Sequence, residues 1–158
     1  MNKKFELLLD DTITIFGIKL FRIKALISFG NVEEGEIGGY VEKEDNLSSS
    51  GNAWVYGNAE VYGNAWVSGN AEVSGNAWVS GNARIYGNAD YIVFKNHWSS
   101  GRYFTYTKSN KMWRVGCFYG TGQELINKAY QDSEISGKHY EAYVEFVEKL
   151  EKLEETND

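Results

Sequence analysis

The chain contains no proline and only one cysteine, Cys117, among its 158 residues. A single cysteine closes no internal disulfide, so the fold does not rest on a secreted disulfide framework. There are two histidines, His97 and His139, and neither stands with Cys117 at the spacing of a zinc site. No apolar stretch approaches the ~18 residues that a membrane span needs. The N-terminal MNKKFELLLDD begins basic, but Asp10 and Asp11 end its apolar run too early for a secretory signal. These shortages point to a cytoplasmic protein of a reducing compartment, with no membrane and no metal. Charged residues at 24% and hydrophobic residues at 42% are ordinary for a folded globular chain and exclude wholesale disorder.

What the chain does have is glycine at a fixed interval. Seven of its 17 glycines open consecutive hexads at Gly51, Gly57, Gly63, Gly69, Gly75, Gly81 and Gly87: GNAWVY, GNAEVY, GNAWVS, GNAEVS, GNAWVS, GNARIY, GNADYI. Each of the first six carries one aliphatic residue, Val55, Val61, Val67, Val73, Val79 or Ile85, two residues after a small alanine. A six-residue period of this kind is a β-solenoid signature, with Gly-Asn turning the corner and the aliphatic side chain pointing inward. The absence of proline suits a backbone whose N–H groups donate to neighbouring coils. The position after alanine alternates Trp54, Glu60, Trp66, Glu72, Trp78, Arg84, Asp90, a repeat of 12. Coils of 18 would stack Trp54 on Glu72, Glu60 on Trp78 and Trp66 on Arg84. Coils of 12 would put the three tryptophans in one column. The 18-residue coil is favoured.

The hexads resemble the hexapeptide-repeat family, which forms left-handed parallel β-helices with three hexads per triangular coil. The resemblance implies a mainly β chain: a short left-handed parallel β-helix over 51–92, an N-terminal β cap with an irregular first coil over 1–50, and a small C-terminal α+β module over 93–158. In the module, YIVF, RYFTYT and MWRVGCFY read as strands. Thr121-Gly-Gln-Glu124 matches a capping box that predicts a helix from about Gln123 to Gln131. A break over Ser133–Gly137 precedes a second helix with Tyr140, Tyr143, Val144, Val147 and Leu150 on one face and a row of glutamates on the other.

Residues 91–137 hold six basic and three acidic side chains, the only net-positive part of a chain of net charge −6. Lys95, Arg102, Lys108, Lys111 and Arg114 interleave with Trp98, Tyr103, Phe104, Tyr106 and Trp113. Cations beside planar rings suit a ligand with phosphates and a base. The same pattern also fits a small sheet packing under helices. The expected ligand site uses Arg102, Lys108, Lys111 and Arg114 for phosphates and Trp98 or Tyr106 for stacking. The Gly120–Gly122 turn at the helix start would supply backbone donors. Nucleic acid is a lesser expectation for the same basic module. Trp54, Trp66 and Trp78 are expected to point outward as anchors of an oligomer or partner interface, a homotrimer first.

The stretch from RIKALISFGNVEEGEIGGYVEKEDNLS through the hexads to FKNHWSSGRYFTYTKSNKMWRVGCFYGTGQELINKAY resembles hexapeptide-repeat proteins of bacteriophages and prophages. Its tail motif, WSSGR to VGCFYGT, is more specific than the hexads. That resemblance implies a non-enzymatic anti-defence protein, inhibiting CRISPR-Cas or sequestering a nucleotide signal, with no cofactor. The wider family implies an alternative, an acyltransferase using CoA with a loop histidine as general base. Here the hexads run without an inserted loop and neither histidine lies among them. A structural or assembly component of a phage is the third expectation.

Overall fold

A computed structural model of the chain describes residues 3–156. Strands β1 (Phe5–Ile15) and β2 (Ile18–Ala25) form an antiparallel hairpin in which Ile15 pairs with Ile18. Its two-residue loop, Phe16-Gly17, has φ of 50° and 80°, the mirror-image turn geometry that matches strand twist. Glycine takes this geometry freely, whereas Phe16 costs about 1–2 kcal/mol there.

β2 continues antiparallel into β3 (Ile37–Val41). The hexads then supply strands of two residues each: β4 (Trp54–Val55), β5 (Glu60–Val61), β6 (Trp66–Val67), β7 (Glu72–Val73), β8 (Trp78–Val79) and β9 (Arg84–Ile85). From Gly51 to Gly81 the hexad glycines turn with φ between 59° and 73°. Each strand pairs in parallel with the one three hexads on: Trp54 with Glu72, Glu60 with Trp78, Trp66 with Arg84. The alanine and aliphatic residue of every hexad up to Ile85 are buried, and Phe5, Ile23, Val32, Val41 and Leu47 extend the same core.

This arrangement corrects the expected short left-handed parallel β-helix. Among the described residues the repeats make no regular solenoid. They are shared among a five-stranded mixed sheet, β1-β2-β3-β5-β8, and two separate two-stranded parallel sheets, β4-β7 and β6-β9. The physical reason is the shortness of the tract. Six two-residue strands give only one inter-hexad pairing per ladder, so the longer antiparallel strands of the hairpin dominate the sheet that they enter.

The C-terminal residues form a second sheet, the antiparallel meander β10 (Tyr91–Lys95), β11 (Tyr103–Thr107), β12 (Met112–Val115) and β13 (Phe118–Thr121). Two helices cover it, α1 (Gly122–Asp132) and α2 (Glu134–Thr156). Thr121 caps α1: its Oγ1 accepts from the Glu124 N–H, and Glu124 Oε1 accepts from the Thr121 N–H. Leu125, Ala129, Tyr140, Val144 and Val147 pack on Phe104, Tyr106 and Trp113.

Side chains close both open edges of the repeat ladders, where backbone groups would otherwise lack partners. On the edge facing the meander, the Glu72, Ser74, Trp78 and Arg84 N–H groups donate to Asn88 Oδ1, the Tyr91 hydroxyl, Thr105 Oγ1 and Ser109 Oγ. The Tyr91 hydroxyl also donates to the Glu72 carbonyl. On the opposite edge, Lys4 Nζ donates to the Ala53 carbonyl, and Asn46 Nδ2 donates to the carbonyls of Gly63 and Ala65. Among the described residues, no helix is long and apolar enough to cross a membrane.

Candidate functional site

A cleft of about 560 Å³ opens where the hairpin tip, the repeat strands and the meander meet. Phe16 comes from the hairpin loop, Asn76 and Trp78 from a hexad, Arg102 from the loop before β11 and Tyr103 from its first position, and Gly116 and Cys117 from the β12–β13 turn. The strained Phe16 conformation places its ring edge-on to Trp78, with centroids 6.1 Å apart. Tyr103 is 42% exposed and Phe16 53%, so both rings present open faces. Burial of β8 at Val79 fixes the opposite, outward direction of Trp78.

Cations gather at this cleft without counter-ions. Lys95 Nζ lies 5.9 Å from the Tyr103 ring centroid. The Arg114 guanidinium lies over the rings of Tyr119, Tyr62 and Phe16 at 4.8, 5.5 and 5.7 Å, and donates to Ser80 Oγ. The exposed Arg102 guanidinium makes no hydrogen bond or ion pair among the described residues. None of the three is ion-paired with a described carboxylate. A net-negative protein thus carries a cationic, ring-lined recess, an arrangement that attracts a planar anion.

Beneath Trp78 lies Glu60, its partner in the β5–β8 ladder and only 8% exposed. Its Oε1 is buried without a hydrogen-bond partner among the described residues. Burial pushes this carboxyl up to about 7, while the Trp78 indole N–H favours its ionised form.

The expected ligand residues do not assemble into one site. Arg102 lines the cleft and Arg114 borders it through Phe16. Lys108 is ion-paired with Glu154, and Lys111 with Glu151 at 3.2 Å, so helix α2 neutralises both. Tyr106 is 3% exposed and its hydroxyl donates to Glu151; burial and that carboxylate hold the phenol above its usual range. Trp98 stacks on His139 with centroids 4.1 Å apart. Gly120 and Gly122 sit in tight packing: a Cβ would meet Phe118 and Glu124 at the first and Val144 at the second. Tyr106, Lys111 and Gly122 share a smaller cleft of about 330 Å³ under the helices, together with Glu148 and Glu151.

The interface tryptophans divide as well. Trp54 is fully buried, which corrects its expected outward exposure: Phe5 and Phe29 cover it edge-on at 6.3 and 5.4 Å. Trp66 lines a recess of about 250 Å³ beside Lys3 and Glu44, and Trp78 lines the main cleft. His97 is exposed, and His139 Nδ1 lies 2.8 Å from the Ile135 carbonyl oxygen. Among the described residues no three His, Cys, Asp or Glu side chains are grouped to hold a metal ion.

Sequence reasoning passed over Phe16, Asn76, Tyr103 as a cleft residue, and Cys117. The one local signal was Phe-Gly between two β-type runs, a hairpin loop with a large ring where a small polar residue is usual. Comparison with protein-family models and with curated proteins found no match.

Proposed function

We propose that the protein is a non-enzymatic binding protein of phage type that sequesters a nucleotide-like signal of host defence. The observation that supports this reading is the cleft, where the unpaired Arg102 stands beside Phe16, Trp78 and Tyr103. Rings of this kind stack on a base, and an unpaired guanidinium takes a phosphate in bidentate fashion. The volume lies within the range of small-molecule sites. The phage and defence context is supported by the resemblance of the WSSGR to VGCFYGT segment.

The test is binding of cyclic dinucleotides and ADP-ribose-type nucleotides, followed by the rise in melting temperature and by calorimetry. A charge-assisted hydrogen bond contributes about 1.5–3 kcal/mol, so Arg102→Ala should weaken binding on the order of 10- to 100-fold. Wild-type affinity in Arg102→Ala, or no shift with any of these nucleotides, overturns the reading. Saturable CoA binding, with turnover lost in His97→Ala, would replace it with acyl transfer.

A further inference from the structure

We infer that Glu60 is a positioning residue for Trp78, and that gain or loss of its proton closes or opens the β1–β2 hairpin over the cleft. The geometry begins with the ladder. Tyr40, Glu60 and Trp78 are consecutive partners across β3, β5 and β8, and Tyr62 lies two residues beyond Glu60 on the same face. Leu20, Tyr40 and Tyr62 form a small core of their own, against which Ile13, Ile15 and Ile18 of the hairpin pack. Glu60 is therefore buried between the ladder partners Tyr40 and Trp78, beside the small core on which the hairpin packs, and the same hairpin carries Phe16 onto Trp78 at its tip.

No cation answers this carboxylate. From β2, Arg22 is committed to the Tyr40 hydroxyl and to the carbonyls of Gly38 and Gly57, with Asp11 3.6 Å away. From β12, Arg114 is committed to Ser80 and to the rings of Tyr62, Tyr119 and Phe16. Tyr40 and Tyr62 are the titratable neighbours from β3 and from the segment after β5, and the Tyr62 hydroxyl is itself buried without a partner among the described residues. Two buried oxygens thus lack partners among the described residues, one in the core on which the hairpin packs and one beside it.

A neutral carboxyl tolerates that burial, whereas a carboxylate needs water. Water reaches Oε1 when the hairpin lifts, and lifting takes Phe16 off Trp78. The closed cleft is accordingly the low-pH state, and it opens as pH climbs towards 7. A bound anion acts in the same direction, because it too favours neutral Glu60. Signal capture would be tight in acidified cytoplasm and looser above neutrality.

The effect on binding rests on the proposed ligand reading, but the gate itself does not. It is read in the ligand-free protein by hydrogen exchange of the Thr12–Leu20 amides between pH 5.5 and 8.5, after correction for intrinsic exchange. Protection in the wild type should fall about tenfold from pH 5.5 to pH 6.5 and level off above pH 7, and Glu60→Gln should hold it constant. Glu60→Met, an apolar side chain of similar length, should do the same and serves if Glu60→Gln does not fold. An unchanged pH dependence in the variants, or a flat wild-type profile, overturns the gate. The same proteins are then titrated with the nucleotides at pH 6 and pH 8. Weaker wild-type binding at pH 8, lost in Glu60→Gln, supports the coupling. Hairpin gating without nucleotide binding removes the ligand reading alone, and nucleotide binding with pH-independent protection removes the gate alone.

Discussion

The Tyr119 hydroxyl lies against the backbone of Gly81, in the space that a Cβ atom on that residue would need. Asn110 Nδ2 donates to the same hydroxyl and to Asn82 Oδ1. One strand of the meander is thereby seated on a repeat corner at a distance that only glycine allows. Gly75, at a nearly identical φ of 65°, has open space around it. Gly75→Ala should therefore lose only the backbone term, about 1 kcal/mol, and Gly81→Ala about 2–3 kcal/mol by urea unfolding. Tyr119→Phe in the Gly81→Ala background should recover part of the difference.

Trp54 should be the most costly of the repeat tryptophans to remove. It is completely buried under Phe5 and Phe29. Trp54→Ala is expected to destabilise by about 3–5 kcal/mol. Trp66→Ala, at a half-buried position, should lose less than half as much on the same denaturation curves.

Tyr91→Phe removes one hydroxyl that serves two backbone groups, accepting from the Ser74 N–H and donating to the Glu72 carbonyl. Its loss should destabilise by about 1–3 kcal/mol, since both groups would need new partners. Amide exchange should localise the change to Ser74, with the Trp78 amide, held by Thr105, unaffected.

Glu60 and Lys4 give stability opposite slopes with pH. Glu60 is raised from 4.5 to about 7 by burial. The stability of its neutral form is fully present below pH 4.5 and is lost as pH climbs to 7, about 3 kcal/mol at ~1.4 kcal/mol per unit. Lys4 is lowered from 10.5 to about 8, also by burial. Its contribution is regained as pH rises from 8 to 10.5. For these two groups stability passes through a minimum near pH 7–8. Urea unfolding at pH 5, 7.5 and 10 should show Glu60→Gln flattening the acid side and Lys4→Met the alkaline side.

Phe16→Gly should separate stability from binding. Removing the left-handed strain at φ 50° should stabilise the hairpin by about 1 kcal/mol. Losing the ring that meets Trp78 should weaken nucleotide binding several-fold. A rise in melting temperature with a fall in affinity is the expected pair of results.

The pairing of Trp54 with Glu72 and of Trp66 with Arg84 was legible in the sequence because a hexad period places like positions in one column. The Thr121–Glu124 cap was legible for a similar reason, since its two partners stand three residues apart. What lay hidden came from distant chain segments. Nothing near Lys111 announces Glu151, and nothing near Trp54 announces Phe5, yet those contacts neutralise one expected ligand residue and bury one expected anchor. The irregular architecture was equally illegible: the repeat describes which residues stack, but the longer hairpin decides which sheet they enter. Even the expected break over Ser133–Gly137 narrowed, because α2 begins at Glu134.

The caps on the ladder edges are private to each ladder. Asn88, Thr105 and Ser109 each meet a different ladder, at Glu72, Trp78 and Arg84. Each ladder therefore ends on a side chain of its own, so the loss of any one cap frees the N–H of a different hexad and leaves the other two ladders closed.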